Sequence, residues 1–253
     1  MTSIGISLAV SLAINAVFFA LAAVRKTDVV TDLSYSLSFA VLAVALPIWN
    51  GNFAAAQLLV AAFVLVWAIR LGAYLFGRIL RIKVDHRFDE MRDRPIVFAR
   101  FWILQALTVA IVMLPISYAC SRDEAPALGA WAIAGGAIWL AGLALEWLSD
   151  AQKSAAKKKS DRFVDSGLWH YSRHPNYFGE MLVWWGIFIL AVPFLHGLAF
   201  LTAIGPAYIT LLLLFVSGIP MLEKSAEARF GDDPEYREYR RRTSVLVPLP
   251  RHR

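Results

Sequence analysis

Thiol chemistry, metal clusters and glycine-rich phosphate loops are all missing from this chain of 253 residues. It has a single cysteine, Cys120, so no internal disulfide and no cysteine-rich metal site can form. Its five histidines, His86, His170, His174, His196 and His252, are scattered, and no two pair on one helix face. A metal site is therefore not expected. No GxGxxG follows a strand-like run and no GxxxxGK[ST] occurs, so any nucleotide must be held without the usual glycine cradle. Charge is scarce too: 17% of residues are charged against 58% hydrophobic, with nine Trp. Soluble domains carry about 25% charged residues. That class is excluded, and an integral membrane protein is expected.

What is present is a series of apolar runs long enough to cross a bilayer, which takes about 20 residues each. Seven are found, at 4–24, 33–49, 53–75, 98–118, 128–148, 177–194 and 198–219. The expected fold is an all-α seven-helix membrane bundle. The first run has no basic stretch before it and no small-residue cleavage site, so it reads as a retained span. Lys and Arg accumulate in cytoplasmic loops. With seven spans the loop Lys and Arg residues, Arg122 apart, fall on one side, in 25–32, 78–94, 150–175 and from Met221 onward. This predicts an outside N-terminus and a cytoplasmic C-terminus. An anionic leaflet accounts for the net charge of +6 without a nucleic-acid partner. No repeat or long linker divides the chain, so 1–253 reads as one membrane domain.

Three polar clusters share the basic side. The first follows span five: Glu146 and Asp150, four apart on one helix face, then Lys153, the run Lys157 to Lys159, and Arg162. Carboxylates at a span end need partners, and basic groups here supply them or bind phosphate oxygens. The second is Tyr171-Ser172-Arg173-His174-Pro175-Asn176-Tyr177-Phe178-Gly179-Glu180. Pro175 favours a helix start, which puts Asn176, Tyr177 and Glu180 in the first turns, where free N–H groups favour an anion. Snorkelling Arg173 and belt tyrosines are the structural alternative. The third runs from Met221 through Glu223, Glu227, Phe230 and Gly231 to Tyr236, Tyr239 and Arg240 to Arg242. Asp232-Asp233-Pro234 opens a short helix there, readable as a headgroup anchor and as a wall of the site.

GLWHYSRHPNYFGE followed by MLEKSAEARFG and YREYRRRTSVLVPLP resembles the steroid 5-alpha-reductase C-terminal superfamily over residues 146–253. Within it, bacterial membrane proteins of uncharacterised function that share this domain are the nearest in pattern. The resemblance implies NADPH on the cytoplasmic side of a bacterial inner membrane, and reduction of a conjugated carbon–carbon double bond in a lipid or steroid-like substrate. It carries cofactor binding to Asp150, Arg162, Asn176, Tyr177 and Glu180, with Lys157 where reductases hold a basic residue. Arg173, His174, Glu223 and Tyr239 from the second and third clusters complete the expected cofactor set. The chain departs from the steroid enzymes at Glu146, where they carry an amide, and at Leu222 to Ala226, where they carry a histidine cluster.

Reduction needs a proton donor beside the substrate carbonyl as well as a hydride. Candidates are Asp32 and Tyr35 at the start of span two, and Tyr74 beside Arg70. Either tyrosine reads equally well as a belt aromatic. Isoprenylcysteine and phospholipid methyltransferases using S-adenosylmethionine share the RHPxYxG element and paired glutamates, and form the main alternative. A non-catalytic lipid-binding protein is a third; the repeats and broken helices typical of transporters are not evident.

Overall fold

A computed structural model describes residues 2–82, 91 and 94–251, so most of the polar segment 78–94 lies outside the described residues. The helices are α1 (Ser3–Arg25), α2 (Thr31–Asn50), α3 (Ala55–Ile82), α4 (Pro95–Val112), α5 (Leu114–Cys120), α6 (Ala130–Lys159), α7 (Pro175–Ala191), α8 (Ile204–Leu211), α9 (Ile219–Phe230) and α10 (Pro234–Arg242). Among the described residues, seven stretches are long and apolar enough to span a membrane: Ser3–Arg25, Thr31–Asn50, Ala55–Arg81, Pro95–Val112, Ala130–Lys159, Pro175–Phe194 and Gly197–Phe230. The protein is thus an all-α, seven-span membrane protein. The chain divides into two compact units, Met1–Ile133 with Ile187–Gly205, and Ala134–Gly186 with Pro206–Arg253.

In the first unit, α1 shows what solvent the fold is built for. Its buried residues include Ser3, Ser7, Ser11 and Asn15, while Ile4, Val17, Leu21 and Val24 face outward. A helix in water buries the opposite face. This arrangement is stable only where the surroundings are hydrocarbon and polar groups bond between helices. Ser7 and Ser117 share a hydrogen bond of 2.7 Å, and Ser11 donates to the Ala106 carbonyl at 3.0 Å. Gln105 donates to Asn15 Oδ1 at 2.8 Å and to Ser34 Oγ at 2.9 Å. The network ties α1, α2, α4 and α5 together. Beside it Phe98, Trp102 and Ala22 form an apolar cluster, with Phe19 edge-on to Phe98.

In the second unit, glycines bring α6 and α7 together. A methyl on Gly142 would lie 2.6 Å from the Gly179 carbonyl oxygen, and one on Gly179 equally close to Gly142 O and Glu146 N. Only backbone fits between these helices at that point. The polar helix end runs further than the sequence suggests: α6 continues as helix to Lys159, so Lys153 and Lys157, like Asp150 before them, stand on a helix rather than in a loop. Ala151-Gln152-Lys153-Ser154-Ala155-Ala156 is rich in strong helix formers, and three terminal lysines suit the negative end of the helix dipole. The last span is also not one helix. After α8 comes one wide π-helical turn, Leu212–Val216, and a break at Ser217 and Gly218 before α9 restarts with Pro220 in its first turn. Proline cannot donate to the preceding turn, so it resets the ladder there.

Candidate functional site

Four segments of the second unit meet around one cavity: the polar end of α6, the stretch 163–174, α9 and α10. Each is placed by a local signal. Pro175 opens α7, which leaves Arg173 and His174 just ahead of its first turn. Asp233 caps α10 by accepting the Glu235 N–H at 2.8 Å. Phe163 sits at the centre of an aromatic group, stacked on Tyr239 at 5.4 Å and edge-on to Tyr236 at 5.3 Å.

The cavity measures about 210 Å³. Four cations line it, Lys153, Lys157, Arg173 and Arg229, against one carboxylate, Glu223; its walls include the rings of Trp169, Phe230 and Tyr236 beside aliphatic Val164 and Leu222. The carboxylate is already engaged. Glu223 Oε2 accepts from Arg173 Nη1 at 2.5 Å, and Glu223 Oε1 pairs with His174 Nε2 at 2.8 Å. Arg240 approaches the same carboxylate at 3.5 Å and pairs with Glu227 at 2.5 Å. A carboxylate only accepts, so the shared proton sits on Nε2 and leaves His174 Nδ1 a bare acceptor. Burial outweighs the pull of Glu223 and lowers the His174 ring below its ordinary value, which keeps it neutral near pH 7. Burial likewise raises the Tyr236 and Tyr239 phenols, so both remain protonated donors. Tyr239 uses its hydroxyl on the Trp169 carbonyl at 3.0 Å.

Three buried polar atoms in four consecutive residues have no hydrogen-bond partner among the described residues: Arg173 Nε, His174 Nδ1 and Asn176 Oδ1. Such orphans are costly unless a ligand or ordered water meets them. Arg173 and His174 line the cavity, and their two orphan atoms together with the cationic lining make an anionic ligand carrying hydrogen-bonding groups a chemical fit. The volume is below the roughly 300–1,000 Å³ of a pocket that encloses a whole drug-sized ligand.

The expected cofactor residues divide by place. Lys157, Arg173, His174, Glu223 and Tyr239 line the cavity; Asp150, Arg162, Asn176, Tyr177 and Glu180 are not among the described residues that do. Asp150 is buried. Tyr177 stacks parallel to His174 at 5.8 Å and so backs a lining residue. Arg162 pairs with Glu235. Lys157 has a second task, donating to the carbonyls of Asp161 and Arg162 at 2.9 and 2.7 Å, which caps the chain leaving α6. The expected catalytic residues lie in the first unit: Asp32 pairs with Arg78 at 3.2 Å, Tyr35 packs edge-on against Phe39, and Tyr74 lies under Arg70.

Sequence reasoning placed Tyr236 in the third cluster without a cofactor role, and it did not single out Trp169. Trp169 donates its indole N–H to the Ser149 carbonyl at 2.9 Å and carries Lys153 over its ring at 4.7 Å. Its place four residues before Arg173, in a segment with Gly167 at positive φ, was the available signal. In comparison with known proteins, a family model described as "Protein of unknown function (DUF1295)" matches residues 18–243. No curated protein and no solved structure matches the chain.

Proposed function

The chain belongs to the DUF1295 family, and from its cavity we propose that it is an NADPH-dependent membrane oxidoreductase of the steroid 5-alpha-reductase type, reducing a conjugated carbon–carbon double bond in a lipid. One observation carries the reading: four cations face one carboxylate that is already neutralised by Arg173. Phosphate oxygens are favoured there, and a sulfonium cation is repelled. Lys153, Lys157 and Arg229 would hold phosphate, the rings of Trp169, Phe230 and Tyr236 would flank planar groups, and neutral His174 would accept from a ligand donor. Bound NADPH supplies the hydride. Adding the second hydrogen needs a proton donor that polarises the conjugated carbonyl as charge develops, for which Asp32, Tyr35 and Tyr74 are the candidates. The lipophilic substrate reaches the protein through surrounding membrane lipid. In the orientation proposed, with the N-terminus outside and the C-terminus in the cytoplasm of a bacterial inner membrane, the cavity faces the cytoplasmic nucleotide pool.

The aromatic walls favour a second reading. Rings and a carboxylate are also what an S-adenosylmethionine sulfonium uses, as in membrane methyltransferases. Thermal stabilisation of the detergent-solubilised protein by NADPH, NADH and S-adenosylmethionine separates the two. Ligand at a hundred times its dissociation constant adds about 2.7 kcal/mol. Stabilisation by NADPH alone is expected, and in sealed vesicles only when they are inverted. Stabilisation by S-adenosylmethionine alone overturns the reductase reading, and protection by NADPH only in right-side-out vesicles overturns the orientation.

A further inference from the structure

We propose that residues 243–251 form a strap that sets the position of Arg173 and His174 at the cavity, with Ser172 and Arg251 as its positioning residues; this rests on reading the cavity as the ligand site. The stretch 170–174, between a short 3-10 turn and α7, lacks the repeating hydrogen bonds that would hold it by itself. The strap supplies them. Ser172 and Ser244 form a parallel bridge, with the Arg173 N–H donating to the Ser244 carbonyl at 2.9 Å. The Leu249 N–H donates to the Tyr171 carbonyl at 3.1 Å. Fully buried Ser172 is the hub: its hydroxyl donates to the Leu246 carbonyl at 2.6 Å and accepts the His174 N–H at 3.1 Å.

Arg251 fastens the far end. Its Nε donates to the His170 carbonyl and to Thr243 Oγ1, both at 3.1 Å, and its Nη2 reaches the Asp165 carbonyl at 3.4 Å. The same guanidinium lies 5.5 Å from the centre of the Tyr239 ring, whose hydroxyl holds Trp169. One segment therefore pins five residues, Asp165 and His170 to Arg173, and the two side chains that grip Glu223, Arg173 and His174, stand at the end of the pinned stretch. Lysine cannot reproduce the fork, because a single ammonium does not donate in one plane to three acceptors.

The test uses the full chain in detergent and the variants S172A, R251A and R251K. Expected in S172A and R251A are faster amide exchange confined to residues 169–175 and an NADPH affinity about tenfold weaker, the loss of one to two hydrogen bonds. R251K follows R251A. Wild-type affinity together with faster exchange would make the strap a stabilising element only, and unchanged exchange would remove the strap itself. Ring nitrogen spectra of His174 judge the idea without any ligand: a single Nε2–H tautomer in the wild type and a mixture in S172A are expected, and the same pattern in both overturns it. A wild type stabilised by S-adenosylmethionine and not NADPH overturns the reductase reading alone, and the affinity comparison is then made with that ligand.

Discussion

Replacing Glu223 by alanine strips two donors of their acceptor at once. Arg173 and Glu223 are 11% and 18% exposed, so the pair is largely out of water. Breaking such a pair from one side costs about 3–5 kcal/mol, because a desolvated charge is left behind. Arg240 sits 3.5 Å from the same carboxylate and is 44% exposed, so it returns to solvent at little cost and adds almost nothing. Partial exposure places the expected loss near the lower end, about 3 kcal/mol. For a chain of this size that is roughly 6–12 °C in melting temperature. The assay is thermal unfolding in detergent, followed by tryptophan fluorescence at pH 7.5. E223Q keeps the shape but turns a donor toward either Arg173 or His174, and should lose nearly as much. In the background of R173A the same substitution should cost about 2 kcal/mol less, the coupling expected of a shared pair. A fall below about 2 °C for E223A would refute the reasoning, since Glu223 would then be neither desolvated nor the acceptor that holds Arg173 and His174.

Two further outcomes follow from other contacts. G179A should abolish a stable second unit, because its methyl would lie 2.6 Å from backbone atoms of α6; recovery of folded protein after purification measures it, and a wild-type yield would mean the helices do not meet there. Lowering the pH should destabilise the protein through His174. The folded ring is held below the ordinary imidazole value of 6.5 by burial, with Glu223, Arg173 and Lys153 as the charged groups around it. Its contribution is full above pH 6.5 and is lost as the pH falls through the lower folded value, since the unfolded chain takes up the proton first. H174N should flatten that acid limb, and an unchanged melting profile between pH 5 and 7 in both proteins would count against a neutral buried His174.

Span count and type were legible because a bilayer imposes a length that composition alone reveals. Boundaries were less so. Lys153 and Lys157 read as loop because charge marked the end of an apolar run, whereas α6 is held past it by helix propensity and its terminal lysines. The break at Gly218 was hidden because an apolar run looks alike whether it is one helix or two. Of the site, the clusters around Arg173 and Glu223 were visible as polar residues at span ends. Their mutual contact, across fifty residues, was not, and neither was the role of Lys157 as a cap or of Ser172 as a hub. Those depend on which carbonyls are left without donors, a property of the folded backbone.

The inverted face of α1 changes what counts as a conservative substitution in this protein. Along most helices a serine exchanged for leucine in the interior adds to the core. Here Ser7 and Ser11 are fully buried and hydrogen-bonded to Ser117 and the Ala106 carbonyl, so leucine there would strand their partners. Outward sites such as Val17 and Val24 should accept almost any apolar side chain. Variation in this helix is therefore expected to be permissive where it is greasy and restrictive where it is polar, and a substitution scale calibrated on soluble proteins would rank its variants in reverse.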